Sequence, residues 1–152
     1  MSALAPGIAG VAHAVRLARW RGLRTTAEPL VTVLHLAYAF TSIGAIAITA
    51  AILWPAAVPY AVAIHLWSAG AIGLMTLAVM TRATLGHTGQ ALHAGKATVA
   101  IYGRMVCAVL LRTIEGLTGA RMMIDAAGAA WIIAFVLFCV YYGALVWRPG
   151  RT

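Results

Sequence analysis

Three histidines stand where an imidazole nitrogen can bind a metal. His35 and His65 lie within long apolar stretches, and His87 lies in a short Gly-His-Thr-Gly sequence. Ionisable side chains at membrane depth are costly, so they usually face the interior of a helix bundle and bind or relay something there. Imidazole is a good ligand for haem iron and for copper. The pattern therefore predicts that at least one of His35 and His65 binds a metal or haem.

The charged residues of the apolar segment at 97–117 form a second group. Arg104, Arg112 and Glu115 are spaced so that they lie on one arc of a helix, and Arg112 can pair with Glu115. Either arginine can bind an anion such as a haem propionate, because guanidinium recognises carboxylates in a bidentate way. Alternatively the side chains extend toward the membrane surfaces, which suits Arg112 better than Arg104. Arg112 is our candidate for cofactor binding.

The sequence around His87 has two interpretations. Glycines at 86 and 89 favour a tight turn with positive φ, which explains the stretch without any ligand. Alternatively, the exposed imidazole is a metal ligand or a proton-exchanging group. The spacing by itself favours the turn. His13 and His93 have no supporting neighbours in the sequence and are expected in solvent or at the membrane surface.

The elements that must position these residues are membrane-spanning helices. Of the 152 residues, 63% are hydrophobic and 9% charged, whereas about 25% are charged in a typical soluble domain. No charged residue occurs in 30–81 or in 126–147, and one span needs about 20 apolar residues. We predict an all-α integral membrane protein, a four-transmembrane-helix bundle preceded by a short helix that is amphipathic or truncated. The spans are expected at about 30–53, 58–81, 97–117 and 126–147.

The basic residues divide the chain into segments and predict its orientation. Residues 1–28 are expected as a basic segment in the cytoplasm or at the interface, residues 29–148 as the membrane domain, and residues 149–152 as a tail. Cytoplasmic ends of spans are rich in Lys and Arg. One side of the bundle receives Arg16, Arg19, Arg21, Arg24, Arg82, Lys96, Arg148 and Arg151. The other side receives Arg121, so both termini and the loop with His87 are predicted to be cytoplasmic.

Helix geometry separates the two apolar histidines. At a rise of 1.5 Å per residue, His35 lies about 8 Å and His65 about 24 Å inside the same membrane surface. A gap of about 15 Å is too long for both to bind one iron, so two sites are predicted, and His65 needs a partner from elsewhere. Each histidine also begins a polar stripe on its helix, which is a seam between helices or part of a site. The stripes are His35, Tyr38, Ser42 and Thr49, and His65, Ser68 and Thr76.

Composition argues against several classes of function. The net charge of +8 is spread over the ends of spans, which is typical of topology signals and contact with anionic lipid, so nucleic acid is not expected as a partner. The chain has 3 acidic residues and no recognisable nucleophile–base pair, so it is not expected to be an enzyme on its own. Cys107 and Cys139 have no CxxC spacing and predict no disulfide.

The stretches that contain these residues resemble the NnrS family of bacterial membrane proteins. They are RLARWRGLRTTAEPLVTVLHLAYAF, HLWSAGAIGLMTLAVMTRATLGHTGQALHAGKATVAIY and Leu110–Arg112, within residues 13–148. The resemblance implies a multi-pass protein of the bacterial inner membrane that binds haem b, copper or both. It also implies a role in nitric oxide metabolism, denitrification or tolerance of nitrosative stress. By position, His35, His65 and His87 stand where the family has histidines, and Arg82 and Arg112 where it has arginines.

Two departures bear on what the resemblance implies. Members of the family are usually longer, and this chain resembles only their C-terminal third, so a site shared with further helices would be incomplete here. Gln90 stands where the family motif has arginine. The first hypothesis is a haem- or copper-binding protein, with lipid and other membrane subunits or further copies as partners. The alternative is a metal-free membrane module that assembles with a separately encoded remainder. A transporter half ranks last, because no span is broken at its midplane.

Overall fold

The computed structural model describes residues 2–20 and 22–147, and all regular structure in these residues is helical. Five helices follow one another: α1 Leu4–Arg19, α2 Pro29–Leu53, α3 Tyr60–His87, α4 Lys96–Thr118 and α5 Met122–Trp147. A 3₁₀ turn at Gly22–Thr25 connects α1 to α2. The predicted tail and the basic residues Arg21, Arg148 and Arg151 lie outside the described residues, as does the side chain of Arg24.

Four of these helices, α2 to α5, are long and apolar enough to cross a membrane. This confirms the predicted all-α bundle of four membrane helices with a short helix before it. α2 has Pro29 in its first turn, where the missing N–H costs nothing. α4 ends at Gly119, whose φ of 73° is a left-handed conformation that glycine adopts without strain. The Gly119 N–H donates to Glu115 O at 2.7 Å, which satisfies one of the last carbonyl groups of the helix.

The end of α3 differs from the expected bound. The helix continues to His87, although the sequence predicted a loop after Thr81. Leu85 is buried in the core, so the apolar contacts of the bundle extend beyond Thr81 and keep this segment helical. Gly86 lies inside the helix, and of the two glycines around His87, Gly89 has a positive φ, 67°.

α1 packs antiparallel against α2. A Cβ added at Gly7 would lie 3.1 Å from Thr49 Oγ1, and a Cβ added at Gly10 would lie 3.1 Å from Ile46 N, so the two backbones approach as closely as glycine permits. Thr49 is about 30 Å along α2 from its start. α1 therefore packs along much of α2, and the assignment of residues 1–28 to a cytoplasmic or interfacial segment stays a prediction.

α3 is not a uniform α-helix. Residues Leu66–Gly73, directly after His65, form π-helical turns between two α-helical segments. Because π turns have i→i+5 hydrogen bonds, they hold more residues per turn and rotate every side chain that follows. Gly70 in this segment leaves room for a neighbouring ring, since a Cβ there would lie 2.7 Å from Phe40 Cγ. The wide turns thus begin beside a histidine that the sequence analysis singled out.

The core lies between α2, α3, α4 and α5. Its fully buried large side chains are Leu30, Leu74, Leu77, Ile101, Met105, Val109 and Tyr142. Apolar residues on the outer faces of the helices are exposed, as expected where helices face lipid. Only 22% of the most apolar window of α5 is buried within the bundle, the lowest fraction of the four spans. α5 therefore has the most surface left for lipid or for another helix.

Candidate functional site

His65 and Arg112, both predicted as cofactor-binding residues, line the same cavity. The cavity has a volume of about 300 Å³ and lies between α3, α4 and α5. The rest of its wall is small or apolar and consists of Ala69, Ala108, Ile124, Ala127, Gly128 and Trp131. A few convergent polar groups within apolar walls are the usual form of a ligand site. The fold therefore unites two candidate residues that are far apart in sequence.

The imidazole of His65 is oriented by its own helix. Its Nδ1 lies 2.7 Å from Ala61 O, and because a carbonyl oxygen only accepts hydrogen bonds, Nδ1 carries the proton. In the neutral ring the Nε2 lone pair is then free. Metal-binding histidines have this arrangement, since the bond to the carbonyl fixes the tautomer and raises the basicity of the other nitrogen. His65 is thus oriented as a ligand would be.

Arg112 adds a positive charge to the cavity, and this charge is already paired. Its guanidinium donates to the Glu115 carboxylate, as the spacing predicted. The two side chains are 24% and 16% exposed, so the pair is partly buried and less screened by solvent than a surface pair. An anion that enters the cavity meets a guanidinium that Glu115 holds in place, and it competes with that carboxylate.

His35 lies in different surroundings, at the start of α2 beside the 3₁₀ turn. Its Nδ1 donates to Val31 O at 2.9 Å, so its Nε2 is also free in the neutral ring. The indole of Trp20 stands edge-on to the imidazole with ring centroids 5.9 Å apart. A Cβ at Gly22 would lie 2.7 Å from His35 Cδ2, so the ring packs directly on backbone. None of these neighbours lines the cavity at His65.

His13 makes a polar contact that the sequence analysis missed. Its Nδ1 lies 2.7 Å from the Tyr38 hydroxyl, and Trp20 packs on the same Tyr38 ring with centroids 4.7 Å apart. The Arg16 guanidinium carbon lies 5.4 Å from the centroid of the Trp20 ring, within cation–π range. His13 is half-buried, and its location in solvent or at the membrane surface stays a prediction. The polar stripe on α2 could have indicated this contact, because its polar side chains need partners on a neighbouring helix.

His87 is the last residue of α3 and is exposed. The neighbouring Thr88 hydroxyl donates to Thr84 O at 2.7 Å, and Gly89 follows in a left-handed conformation. These bonds end the helix without any contribution from the imidazole, as the turn interpretation requires. The assignment of His87 as a metal ligand stays a prediction.

The π-helical turns separate residues that the sequence placed on one stripe. His65 lines the cavity described above, whereas Thr76 lines a groove between α2 and α3 together with Thr41. The Ser68 hydroxyl donates to Ile64 O at 2.7 Å and is exposed. The expected stripe assumed 100° per residue throughout, and the wider turns after His65 break that register. Ser68 and Thr76 therefore do not belong to the cavity at His65.

Hydroxyl groups form a second buried polar region, between α3, α4 and α5. Thr98 and Tyr142 share a hydrogen bond of 2.5 Å. Thr81 Oγ1 and the Tyr102 hydroxyl are also buried, and no residue in 2–20 or 22–147 provides them with a hydrogen-bond partner. The region is separate from the cavity at His65. No local pattern in the sequence indicates the Thr98–Tyr142 bond, because 44 positions separate the two residues.

In the described residues, His35 and His65 lie in different surroundings and do not line the same cavity. Within residues 2–20 and 22–147, no three His, Cys, Asp or Glu side chains converge in a way that could hold a metal ion. Cys107 and Cys139 are free and exposed, so neither adds a ligand to the surroundings of a histidine. Each candidate centre thus has one imidazole from this chain.

Comparison with known proteins gives one match. The family model described as "NnrS protein" matches residues 1–150, nearly the whole chain. No curated protein and no solved structure matches the chain. The family match confirms the resemblance that was carried by the stretches around His35, His65 and His87.

Proposed function

The chain belongs to the NnrS family, and on that premise we propose that it binds haem b in the membrane and acts in nitric oxide metabolism or tolerance of nitrosative stress. The observation that carries the proposal is that His65 and Arg112 line the same cavity. A haem bound there would supply an iron centre that can take nitric oxide as a ligand.

The residues of this cavity fit a haem group. Haem iron needs only one axial protein nitrogen, and the Nε2 of His65 is free to be that ligand. Arg112 is suited to a propionate, because guanidinium binds carboxylates well. The volume of about 300 Å³ is at the lower end for ligand sites, so the residues of the cavity would enclose only part of a macrocycle.

Copper is the second candidate group, and it fits the described residues less well. Protein copper sites combine several histidine or sulfur ligands. In the described part of the chain, no three His, Cys, Asp or Glu side chains come together. A copper site at His35 or His87 would therefore need further ligands besides that histidine.

The deciding experiment is purification in detergent from cells supplied with haem precursor and copper. We expect an absorption spectrum with a Soret band and iron equimolar with the chain. His65→Ala is expected to abolish the band, and Arg112→Gln to weaken haem retention. His93→Ala is the matched control, because this exposed histidine lies outside both candidate centres, and its spectrum is expected to be unchanged.

Two results would overturn the haem proposal. One is a folded, colourless and iron-free preparation, and the other is a His65→Ala variant that keeps the full Soret band. Copper without iron in the metal analysis would favour copper over haem as the bound group. The role in nitric oxide chemistry has its own readout: nitric oxide added to the reduced protein is expected to shift the Soret band, and no shift would contradict that role.

A further inference from the structure

The guanidinium of Arg104 is a charge at membrane depth that the proposed function does not use. Its Cα lies about 12 Å along α4 from Lys96, which is close to the middle of a hydrocarbon core about 30 Å thick. The side chain is exposed and forms no hydrogen bond or ion pair with any residue of the described ranges. An unpaired charge that faces lipid at this depth is costly. A partner for Arg104 is therefore expected from outside the chain.

Arg104 lies in a groove with small walls on the outer face of α4 and α5. The groove has a volume of about 490 Å³. Its small side chains are Ala100, Gly103 and Cys107 from α4, and Ala126, Ala129 and Ala130 from α5. Small residues let a second membrane helix approach closely, and such helices associate through packing and polar contacts. The shape of the groove suits a helix, and its charge suits an acid.

A second copy of this chain cannot supply that acid. The sequence contains Glu28, Glu115 and Asp125 as its only acidic residues. Glu115 is paired with Arg112 and lies about 16 Å further along α4 than Arg104. Asp125 is in the first turn of α5, at the same far end of the bundle, and Glu28 precedes α2. In a copy of the same orientation, each carboxylate is therefore at the wrong depth.

A phospholipid headgroup is a poorer partner than a carboxylate on a helix. Lipid phosphates lie at the surface of the membrane, whereas Arg104 starts about 12 Å inside it. Reaching the phosphate would require the side chain to leave the groove and extend along the helix, which leaves the small-walled groove unused. An acidic side chain on a membrane helix meets both requirements. The helix fills the groove, and its carboxylate pairs with the guanidinium, as ionisable residues within the membrane do.

We propose that the groove at Arg104 is the docking surface for a membrane-spanning helix of a different polypeptide, which carries an Asp or Glu at the depth of Arg104. The helix packs between α4 and α5 against the alanines and the glycine, and its carboxylate accepts hydrogen bonds from the guanidinium. Once the helix is docked, the charge is paired and removed from lipid.

The test is photo-crosslinking in membranes of cells that encode the protein. A photoreactive amino acid replaces Ala129 in the groove, and in a matched control it replaces Val140, which is exposed on α5 outside the groove. We expect a crosslinked protein from Ala129 and none from Val140. Peptide sequencing of the product is expected to identify a membrane helix with an Asp or Glu near its middle.

Four variants test the charge and the shape of the groove. Arg104→Leu is expected to lower the crosslink yield about tenfold, the effect of losing one charge-assisted contact, whereas Arg104→Lys keeps most of it. Ala100→Leu fills the groove and is also expected to abolish the product. Exchanging the charges, with Arg104→Glu and the partner acid replaced by Arg, is expected to restore it.

Several outcomes would overturn the proposal. They are products with lipid only, products between two differently tagged copies of this chain, a crosslinked helix without an acid, and a yield that Arg104→Leu leaves unchanged. Because Arg104 is exposed and unpaired, its replacement removes no internal contact, and circular dichroism of the purified variants would verify that the bundle is intact.

Discussion

At the scale of single residues, the orientation of the imidazoles is the most informative feature. His35 and His65 each direct Nδ1 to a carbonyl of their own helix, at 2.9 and 2.7 Å. An imidazole held only by packing would have no fixed tautomer, whereas these two keep Nε2 as the acceptor nitrogen. The sequence singled out these two histidines, and their role as ligands stays a prediction. The pairing of His65 with Arg112 in one cavity depends on how three helices pack, which spacing along one helix does not reveal.

The buried hydroxyl pair gives a prediction at the same scale. Thr98→Val keeps the shape of the side chain but leaves the Tyr142 hydroxyl unpaired among apolar neighbours, so we expect a loss of about 1 kcal/mol in the free energy of unfolding. The measurement is the folded fraction in detergent as the proportion of SDS increases. Thr113→Val is the control, since that hydroxyl donates to Val109 O of its own helix and, within the described residues, takes part in no hydrogen bond between helices. Equal losses in the two variants would contradict a stabilising role for the pair.

Individual residues show where sequence reasoning ends. The apolar runs, the arginine spacing and the glycine turn all depend on local order along the chain, and each could be read from it. His13 with Tyr38 and Thr98 with Tyr142 are 25 and 44 positions apart. Such pairs depend on which helix faces which, and a helical wheel describes only one helix at a time.

At the scale of helices, α3 differs most from what the sequence predicted. It continues to His87, beyond the expected end at Thr81, and the π-helical turns at Leu66–Gly73 change which side chains face each neighbour. Apolar periodicity does not reveal such turns, because Leu, Ala, Ile and Gly are compatible with either winding. π-helical turns are often found at functional sites, and these follow His65 directly. The irregular winding therefore belongs to the same region as the candidate haem ligand.

Close packing of α2 on the π-helical turns gives a prediction at the helix scale. A Cβ at Gly44 would lie 2.8 Å from Trp67 Cβ and 3.0 Å from its Cα, so Gly44→Ala forces the two backbones apart. We expect the free energy of unfolding to fall by about 1–3 kcal/mol, measured by the same SDS titration.

Gly143→Ala on α5 is the matched control for Gly44→Ala. No atom lies within 4 Å of a Cβ at Gly143, so the replacement adds no collision and removes the conformational freedom of glycine in the unfolded chain. Its stability is expected to be unchanged or to rise by about 0.5–1 kcal/mol. A Gly44→Ala variant as stable as the control would show that α2 and α3 are packed less closely than described.

At the scale of the whole molecule, the bundle has two differently used faces. The cavity at His65 lies between α3, α4 and α5, and the groove at Arg104 lies on the outer face of α4 and α5. The first supports the proposed haem site, and the second supports docking of another helix. The two proposals are independent, because loss of haem in His65→Ala need not change crosslinking at the groove.

The position of α1 leads to a prediction about the orientation of the chain. Because basic residues surround the α1–α2 connection, that end of both helices is expected in the cytoplasm. Because Gly7 packs on Thr49 near the far end of α2, the start of α1 is expected on the opposite side of the membrane. The distribution of Lys and Arg over the ends of the spans, by contrast, predicts a cytoplasmic N-terminus.

Cysteine labelling decides between these orientations. In a background of Cys107→Ser and Cys139→Ser, spheroplasts with Ser2→Cys or Ala27→Cys are treated with a membrane-impermeant maleimide. We expect Ser2→Cys to react in intact spheroplasts, because α1 carries it to the far face, and Ala27→Cys to react only after lysis. Protection of Ser2→Cys until lysis would place the start of α1 in the cytoplasm, which is incompatible with antiparallel packing of α1 along a membrane-spanning α2.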